Sequence, residues 1–104
     1  MFTLEPNPTF DAVTDIPTAD GGVKTIAVTW RHAGRRQLTA WLDHLATLQP
    51  AEEAAHFASA MAGWDADAPL TVAAIDQLLN DYPPAGRLLM QTYVAALTEG
   101  RTKN

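Results

Sequence analysis

The chain has 104 residues, with twelve acidic and seven basic side chains, and its formal net charge is −5 at pH 7. This length supports a single hydrophobic core and therefore one domain, and an acidic chain repels the phosphate backbone of nucleic acids. The absence of cysteine excludes disulfides, thiolate metal sites and cysteine nucleophiles.

Two segments near the N-terminus alternate in the way that is typical of β-strands. The first covers residues 9–16, and its apolar face consists of Phe10, Ala12, Thr14 and Ile16. The second covers residues 23–31, where Ile26, Val28 and Trp30 alternate with threonine and alanine. Pro17 ends the first strand, and Asp20-Gly21-Gly22 favours a turn. We predict a β-hairpin over residues 9–31, which must pack on the rest of the chain because isolated hairpins are marginally stable.

From Gly34 onward the apolar residues follow helical spacing, which predicts four helices within residues 35–98. The first stripe consists of Leu38, Trp41, Leu42, Leu45 and Leu48. The second consists of Ala54, Phe57, Ala58 and Met61. The third consists of Val72, Ile75, Leu78, Leu79 and Tyr82. The fourth consists of Ala85, Leu88, Leu89, Tyr93, Ala96 and Leu97.

Helix boundaries are marked by proline, glycine and one threonine. Pro50 is expected to end the first helix and to lie in the first turn of the second, which Gly63 then ends. Thr71 is the expected N-cap of the third helix, and the Pro83-Pro84 pair separates it from the fourth. Gly100 caps the last helix, and residues 100–104 form a flexible tail. The predicted fold class is α+β, an N-terminal β-hairpin packed on a bundle of about four short α-helices in one domain over residues 1–104.

The polar residues do not form a recognisable catalytic or metal-binding motif. Asp65, Asp67 and Asp76 suggest an EF-hand loop, but proline and leucine occupy its required fifth and sixth positions. His32, His44 and His56 lack the i, i+4 spacing of a helical zinc site, and Ser59 is not in a G-x-S-x-G elbow. We therefore expect no enzyme, no cofactor and no metal site.

The basic segment RHAGRR, Arg31 to Arg36, is interpreted as a solvated linker that could face an acidic partner. A regulatory module that binds nucleic acid through this segment is a further hypothesis, which the net charge disfavours. The first residues contain neither a basic region nor an apolar run, so we expect no signal peptide. No apolar stretch approaches the ~20 residues that span a bilayer, and the cytoplasm is the expected location.

Trp64 follows the glycine expected to end the second helix and precedes an acidic loop. A tryptophan in this place either covers the core or forms an exposed anchor for a partner, and both interpretations remain open.

The order of these features resembles the tail assembly chaperones of long-tailed phages and their prophages. The resemblance runs from FTLEPNPTF through DAVTDIPTADGGVKTIAVTWRH and GRRQLTAWL to GWDADAPLTVAAIDQLLNDYPPAGRLLMQTYVAAL and the basic RTKN. No single piece is specific; the order and the spacing carry the similarity.

The resemblance implies a non-enzymatic protein of the host cytoplasm that binds the long tape measure protein, keeps it soluble and is absent from the mature virion. It also implies a longer form, made by programmed frameshifting, that recruits tail tube subunits. The residues Thr102-Lys103-Asn104 are compatible with the slippery heptamer A AAA AAC. Rings or filaments of a homo-oligomer would suit such a role, whereas nucleic acid and membrane are not expected partners. The alternative function is a minor tail or head–tail connector protein that stays in the virion.

Helix-in-groove contact would let a small acidic domain cover the apolar stripes of a helical rod. Adjacent Leu89 and Met90 cannot both lie at the centre of one narrow stripe, so an apolar patch is expected on the last helix. The candidate partner-binding residues are Trp64, Tyr82, Met90, Tyr93 and Val94. Packing of the last three into the core is the competing interpretation.

Overall fold

A three-stranded antiparallel sheet forms one layer of the protein, and helices cover one of its faces. The computed structural model describes residues 1–102. The elements in chain order are β1 (Thr9–Pro17), β2 (Val23–Arg31), α1 (Arg35–Leu45), α2 (Pro50–Ala60), β3 (Met61–Trp64), α3 (Val72–Asp81) and α4 (Ala85–Glu99). The strand order is β1-β2-β3. The predicted α+β class is confirmed, with one strand more than the sequence indicated.

The hairpin of β1 and β2 has the two faces that its alternation predicts. Phe10 lies opposite Trp30, and Ile16 lies opposite Lys24. The buried side chains of these strands are Ala12, Thr14, Ile16, Ile26, Val28 and Trp30. On the other face Asp11 accepts a hydrogen bond from the Thr29 hydroxyl (2.6 Å), as Asp15 does from Thr25 (2.8 Å). The apolar face therefore packs against the helices, and acid–threonine pairs cross the open face.

The turn between β1 and β2 depends on a left-handed glycine. Gly21 has a φ of +88° and donates its backbone N–H to the Thr18 carbonyl (3.1 Å). The Asp20 carboxylate accepts from the Thr18 hydroxyl and from the Gly22 backbone N–H. These two bonds, the Thr18 bond first, lower the pKa of Asp20 below its ordinary value.

Gly21→Ala is expected to lower the free energy of unfolding by about 1–2 kcal/mol, because a Cβ is strained at positive φ. Gly34→Ala is the matched control, since Gly34 has a φ of −72° and open space around an added Cβ. It should change stability by less than about 0.5 kcal/mol. Urea unfolding of both variants measures the difference, and equal effects would show that the positive φ is not what the turn requires.

The third strand is a correction to the sequence analysis, which assigned Met61 to the second helix and ended that helix at Gly63. The helix instead ends at Ala60, and Met61 has extended backbone angles (φ −110°, ψ 133°). Gly63 pairs with Thr29 of β2, and a register shift falls between Thr29 and Trp30. Met61 is 2% exposed, so its apolar side chain belongs to the core as expected. It reaches the core from a strand and not from a helix.

The first helix is also shorter than its apolar stripe indicated. It ends at Leu45, and Leu48 lies beyond it, in the connection to α2. The predicted position of Pro50 in the first turn of α2 is confirmed, and Glu52 of that turn accepts from the Gln49 backbone N–H (2.8 Å). This bond satisfies the backbone N–H of the N-cap residue, which has no acceptor within the helix.

The remaining predicted helix boundaries are confirmed. The Thr71 hydroxyl caps α3 by accepting from the Ala74 backbone N–H (3.1 Å). Gly100 ends α4 with a φ of +69°. Beyond it the Thr102 carbonyl accepts from the Val13 backbone N–H at the edge of β1 (2.8 Å). The flexible tail expected over residues 100–104 stays a prediction, and Lys103 and Asn104 lie outside the described residues.

The core lies between the sheet and α2, α3 and α4. Helix α4 packs on β1, and α2 packs on α3. The largest fully buried side chains are Trp30, Phe57, Ile75, Leu89, Val28 and Thr14. Strand β3 runs antiparallel to β2. The chain therefore leaves the sheet toward the end where the hairpin turn lies, and it continues from there to α3.

Candidate functional site

An open groove of about 960 Å³ lies between the turn end of the hairpin, the loop after β3 and the C-terminal end of α3. Its most buried lining residues are Ile16 and Ile26, which are 3% and 8% exposed. The half-buried side chains of Trp64, Leu78 and Tyr82 also line the groove. The groove therefore exposes apolar surface that is continuous with the protein core.

The Trp64 wall is held in place by the loop that follows β3. The Trp64 indole Nε1 donates to the Ala68 carbonyl (2.7 Å). The next residue, Asp65, continues the pairing with β2: its carboxylate accepts from the Ala27 backbone N–H (2.8 Å), and its own N–H donates to the Ala27 carbonyl (3.1 Å). These bonds fix the indole ring and the start of the acidic loop relative to the sheet.

The Tyr82 wall is positioned by the end of α3. Tyr82 is the C-cap of this helix, and Pro83 and Pro84 follow it before α4 begins. The Tyr82 hydroxyl accepts a hydrogen bond from the Lys24 ammonium of β2 (2.7 Å), which also lies 5.2 Å from the centre of the tyrosine ring. This bond raises the pKa of Lys24 above its ordinary value. Lys24 thus links the hairpin to the end of α3 across the groove.

The lining carries more negative than positive charge. Asp65 and Asp67 come from the loop after β3, and Asp81 is the last residue of α3. Lys24 is the cation among the lining residues, and its ammonium group is bound to Tyr82. The lining therefore combines apolar side chains with an excess of carboxylates.

A family model described as phage tail assembly chaperone matches residues 1–104. The chain belongs to the phage tail assembly chaperone family. No curated protein and no solved structure matches the chain. The family is generally non-enzymatic, and its description implies proteins of the phage tail as partners.

Two of the five partner-binding residues predicted from the sequence, Trp64 and Tyr82, lie together in the chaperone's groove. The other three lie on α4 outside it. Met90 and Val94 are half-buried and pack against the core. Tyr93 is 2% exposed, so the expected surface patch on α4 does not include its ring. Whether any of the five contacts a partner stays a prediction.

Trp64 combines the two interpretations that the sequence left open. It packs against the core cluster and is half-buried. Trp64 nevertheless also lines the groove. The same ring can therefore stabilise the chaperone and contact another protein.

The chaperone's single serine is not paired with an imidazole. The Ser59 hydroxyl donates to the His56 backbone carbonyl (2.5 Å), while His56 Nε2 contacts the Trp41 carbonyl (2.8 Å). Within residues 1–102 no group of three or more histidine, aspartate or glutamate side chains could hold a metal ion. None of the helices in this range is long and apolar enough to cross a membrane.

Sequence reasoning missed the groove itself and the residues that complete it. Lys24 and Tyr82 are 58 positions apart, and no local pattern indicates that they meet. The available signal was the proximity of Asp65 and Asp67 to Trp64, together with Asp81 before Tyr82. Each aromatic wall of the chaperone's groove therefore has a carboxylate next to it in sequence.

Proposed function

We propose that this tail assembly chaperone binds the tape measure protein through the groove and keeps it soluble until the tail tube polymerises around it. The observation that carries the proposal is the open apolar groove between Trp64 and Tyr82. Family membership supports a tail protein as the partner. A long helical rod with apolar stripes is the tail component that most needs such cover.

The groove has a size and a composition that suit a protein segment. Its volume of about 960 Å³ is near the upper end of the ~300–1,000 Å³ range of small-molecule clefts, so it can take a few anchoring side chains of a partner segment. Tryptophan and tyrosine are the side chains that contribute most often to binding energy at protein interfaces. An amphipathic helix can place its apolar face in such a groove, with anchors spaced one helical turn apart.

The remaining parts of the proposal follow from the role. We expect the chaperone to act in the host cytoplasm, to help recruit tail tube subunits through a longer frameshifted form, and to leave before the virion is complete. Met90 and Val94 are proposed to extend the contact surface along α4. Tyr93 is proposed to contribute by holding α4 on the sheet, because its ring lies against Trp30 and Phe10.

Co-expression with the tape measure protein of the same phage tests the proposal. We expect the double variant Trp64→Ala/Tyr82→Ala to recover at least about tenfold less soluble tape measure protein, because about 1.4 kcal/mol of lost contact suffices for that change. Val72→Ala is the matched control, since Val72 is an apolar α3 residue, 49% exposed, outside the groove. Circular dichroism and thermal unfolding establish that each variant is folded. Undiminished recovery with a folded double variant would refute the groove as the binding site.

A further inference from the structure

Among residues 1–102, the carboxylates of the groove form no salt bridge. The salt bridge found among residues 1–102 joins Arg101 to Glu99, at the far end of α4. Asp65, Asp67 and Asp81 therefore have no cation within salt-bridge distance in the described part of the chain. The hydrogen bonds of Asp65 and Asp81 come from neutral donors, a backbone N–H and the Asn80 amide.

The one cation of the lining offsets only part of this negative charge. The Lys24 ammonium donates to the Tyr82 hydroxyl at 2.7 Å and lies near the face of that ring. Three carboxylates and one ammonium group leave an excess of two negative charges along the apolar lining. An occupant that is apolar but uncharged would fill the groove and leave this charge without a counterpart.

We propose that the groove selects a helical segment whose apolar stripe is bordered by lysine or arginine. This inference rests on the proposed function and specifies the chemistry of the partner segment. The apolar stripe would contact Trp64, Leu78 and Tyr82, and the flanking cations would face the loop after β3 and the end of α3. Complementary charge at the edge of an interface speeds encounter and discriminates between partners more than it adds affinity. Each exposed pair adds up to ~1 kcal/mol.

A second copy of this chain is the main competing occupant. Its N-terminal segment is apolar and exposed, with Phe2 at 86% and Leu4 at 90%. That segment contains Glu5 and no lysine or arginine, so it offers no cationic side chain to the groove carboxylates. The charge of the groove therefore favours a basic partner segment over the acidic chain itself.

Two synthetic peptides of about 18 residues, or about five helical turns, test the inference. They share one leucine stripe and differ only in the flanking residues, lysine in one and glutamate in the other. Isothermal titration measures their binding to the full chain at low and at high salt. We expect the lysine peptide to bind at least about tenfold more tightly at ~0.05 M salt, and most of this preference to disappear at ~1 M, where the Debye length is about 3 Å.

A matched pair of triple variants locates the effect. Asp65→Asn/Asp67→Asn/Asp81→Asn should abolish the preference for the lysine peptide. Glu5→Gln/Asp43→Asn/Asp76→Asn removes the same charge from exposed positions outside the groove and should keep the preference. If both triple variants behave alike, the preference arises from net charge and the inference is overturned.

The outcomes separate this inference from the proposed function. Equal binding of both peptides, or tighter binding of the glutamate peptide, overturns the charge selection and leaves the groove's role in tape measure binding intact. Binding of neither peptide, with recovery of the tape measure protein still dependent on Trp64 and Tyr82, has the same meaning. Self-association of the chain that the Trp64→Ala/Tyr82→Ala double variant abolishes would instead assign the groove to a second copy.

Discussion

Tyr93→Ala is expected to lower the free energy of unfolding by about 3–5 kcal/mol, the range for large aromatic side chains removed from a core. Tyr93 is 2% exposed. Its ring stacks on Trp30 with centroids 4.5 Å apart and on Phe10 at 6.1 Å, and it meets Trp41 edge-on at 5.4 Å. Truncation would leave a cavity where α1, α4 and both hairpin strands meet, and the surrounding rings cannot close it without leaving their stacked geometry.

Tyr93→Phe separates the hydroxyl from the ring. The hydroxyl donates to the Arg31 carbonyl (2.8 Å), and its loss is expected to lower stability by about 0.5–1.5 kcal/mol. Urea unfolding of the wild type and of both variants gives the two values. A loss below about 1.5 kcal/mol for Tyr93→Ala would show that the aromatic cluster does not hold α4 on the sheet.

The wild type and Tyr93→Phe are expected to differ in how their free energy of unfolding depends on pH. Burial raises the pKa of Tyr93 above its ordinary value, so the unfolded chain loses the phenol proton at a lower pH than the folded chain does. Stability that depends on the protonated phenol is complete below the ordinary pKa of about 10 and falls as the pH rises through the folded value. The free energy of unfolding of the wild type should therefore fall more than that of Tyr93→Phe as the pH rises above about 10.

The sequence predicts most of the core-facing residues, because their spacing is set by local geometry. Val72 is an exception: the third stripe includes it, but it lies in the first turn of α3 and is 49% exposed. Period-two alternation placed Ala12, Thr14 and Ile16 on one face of β1, and the structure buries all three. The helical stripe likewise predicted Leu89 and Tyr93 as neighbours on one side of α4, and both are buried. These positions follow from backbone periodicity and require no knowledge of which elements meet.

The third strand could not be predicted in the same way. Its four residues, Met61 to Trp64, follow α2 without an intervening turn. Met61 continues the helical stripe of Phe57 and Ala58, so local spacing favours a helix there. The extended conformation is stabilised by pairing with Thr29 and Val28 of β2, more than 30 positions earlier. The formation of such a short strand depends on the β2 edge of the hairpin, and this edge exists only in the folded chain.

The candidate site was predicted in part for a related reason. Trp64 was predicted to be a core lid or an exposed anchor because it follows a glycine and precedes an acidic loop. Tyr82 was named among the candidate partner-binding residues at the end of the third apolar stripe. The groove between them depends on Lys24, Ile16 and Ile26, which the hairpin brings to the end of α3. Three separate elements define the groove, so its shape follows from tertiary packing.

Thr92→Val is expected to lower the free energy of unfolding by about 1–3 kcal/mol, although the two side chains have nearly the same shape. Thr14 and Thr92 are buried, at 0% and 6% exposed, and their hydroxyls meet between β1 and α4. The Thr14 hydroxyl donates to Thr92 Oγ1 (2.9 Å), which donates in turn to the Leu88 carbonyl (2.9 Å). Valine at position 92 leaves the Thr14 hydroxyl as a buried donor without an acceptor.

Thr14→Val is the informative comparison. It removes the donor and leaves Thr92 with its bond to the Leu88 carbonyl, so we expect a loss below about 1 kcal/mol. In the double variant both partners are apolar and no buried donor remains, which should make its loss smaller than that of Thr92→Val alone. Chemical unfolding of the four proteins completes the double-mutant cycle. Additive losses would show that the two hydroxyls act independently, and equal losses for the single variants would contradict the direction of the hydrogen-bond chain from β1 to α4.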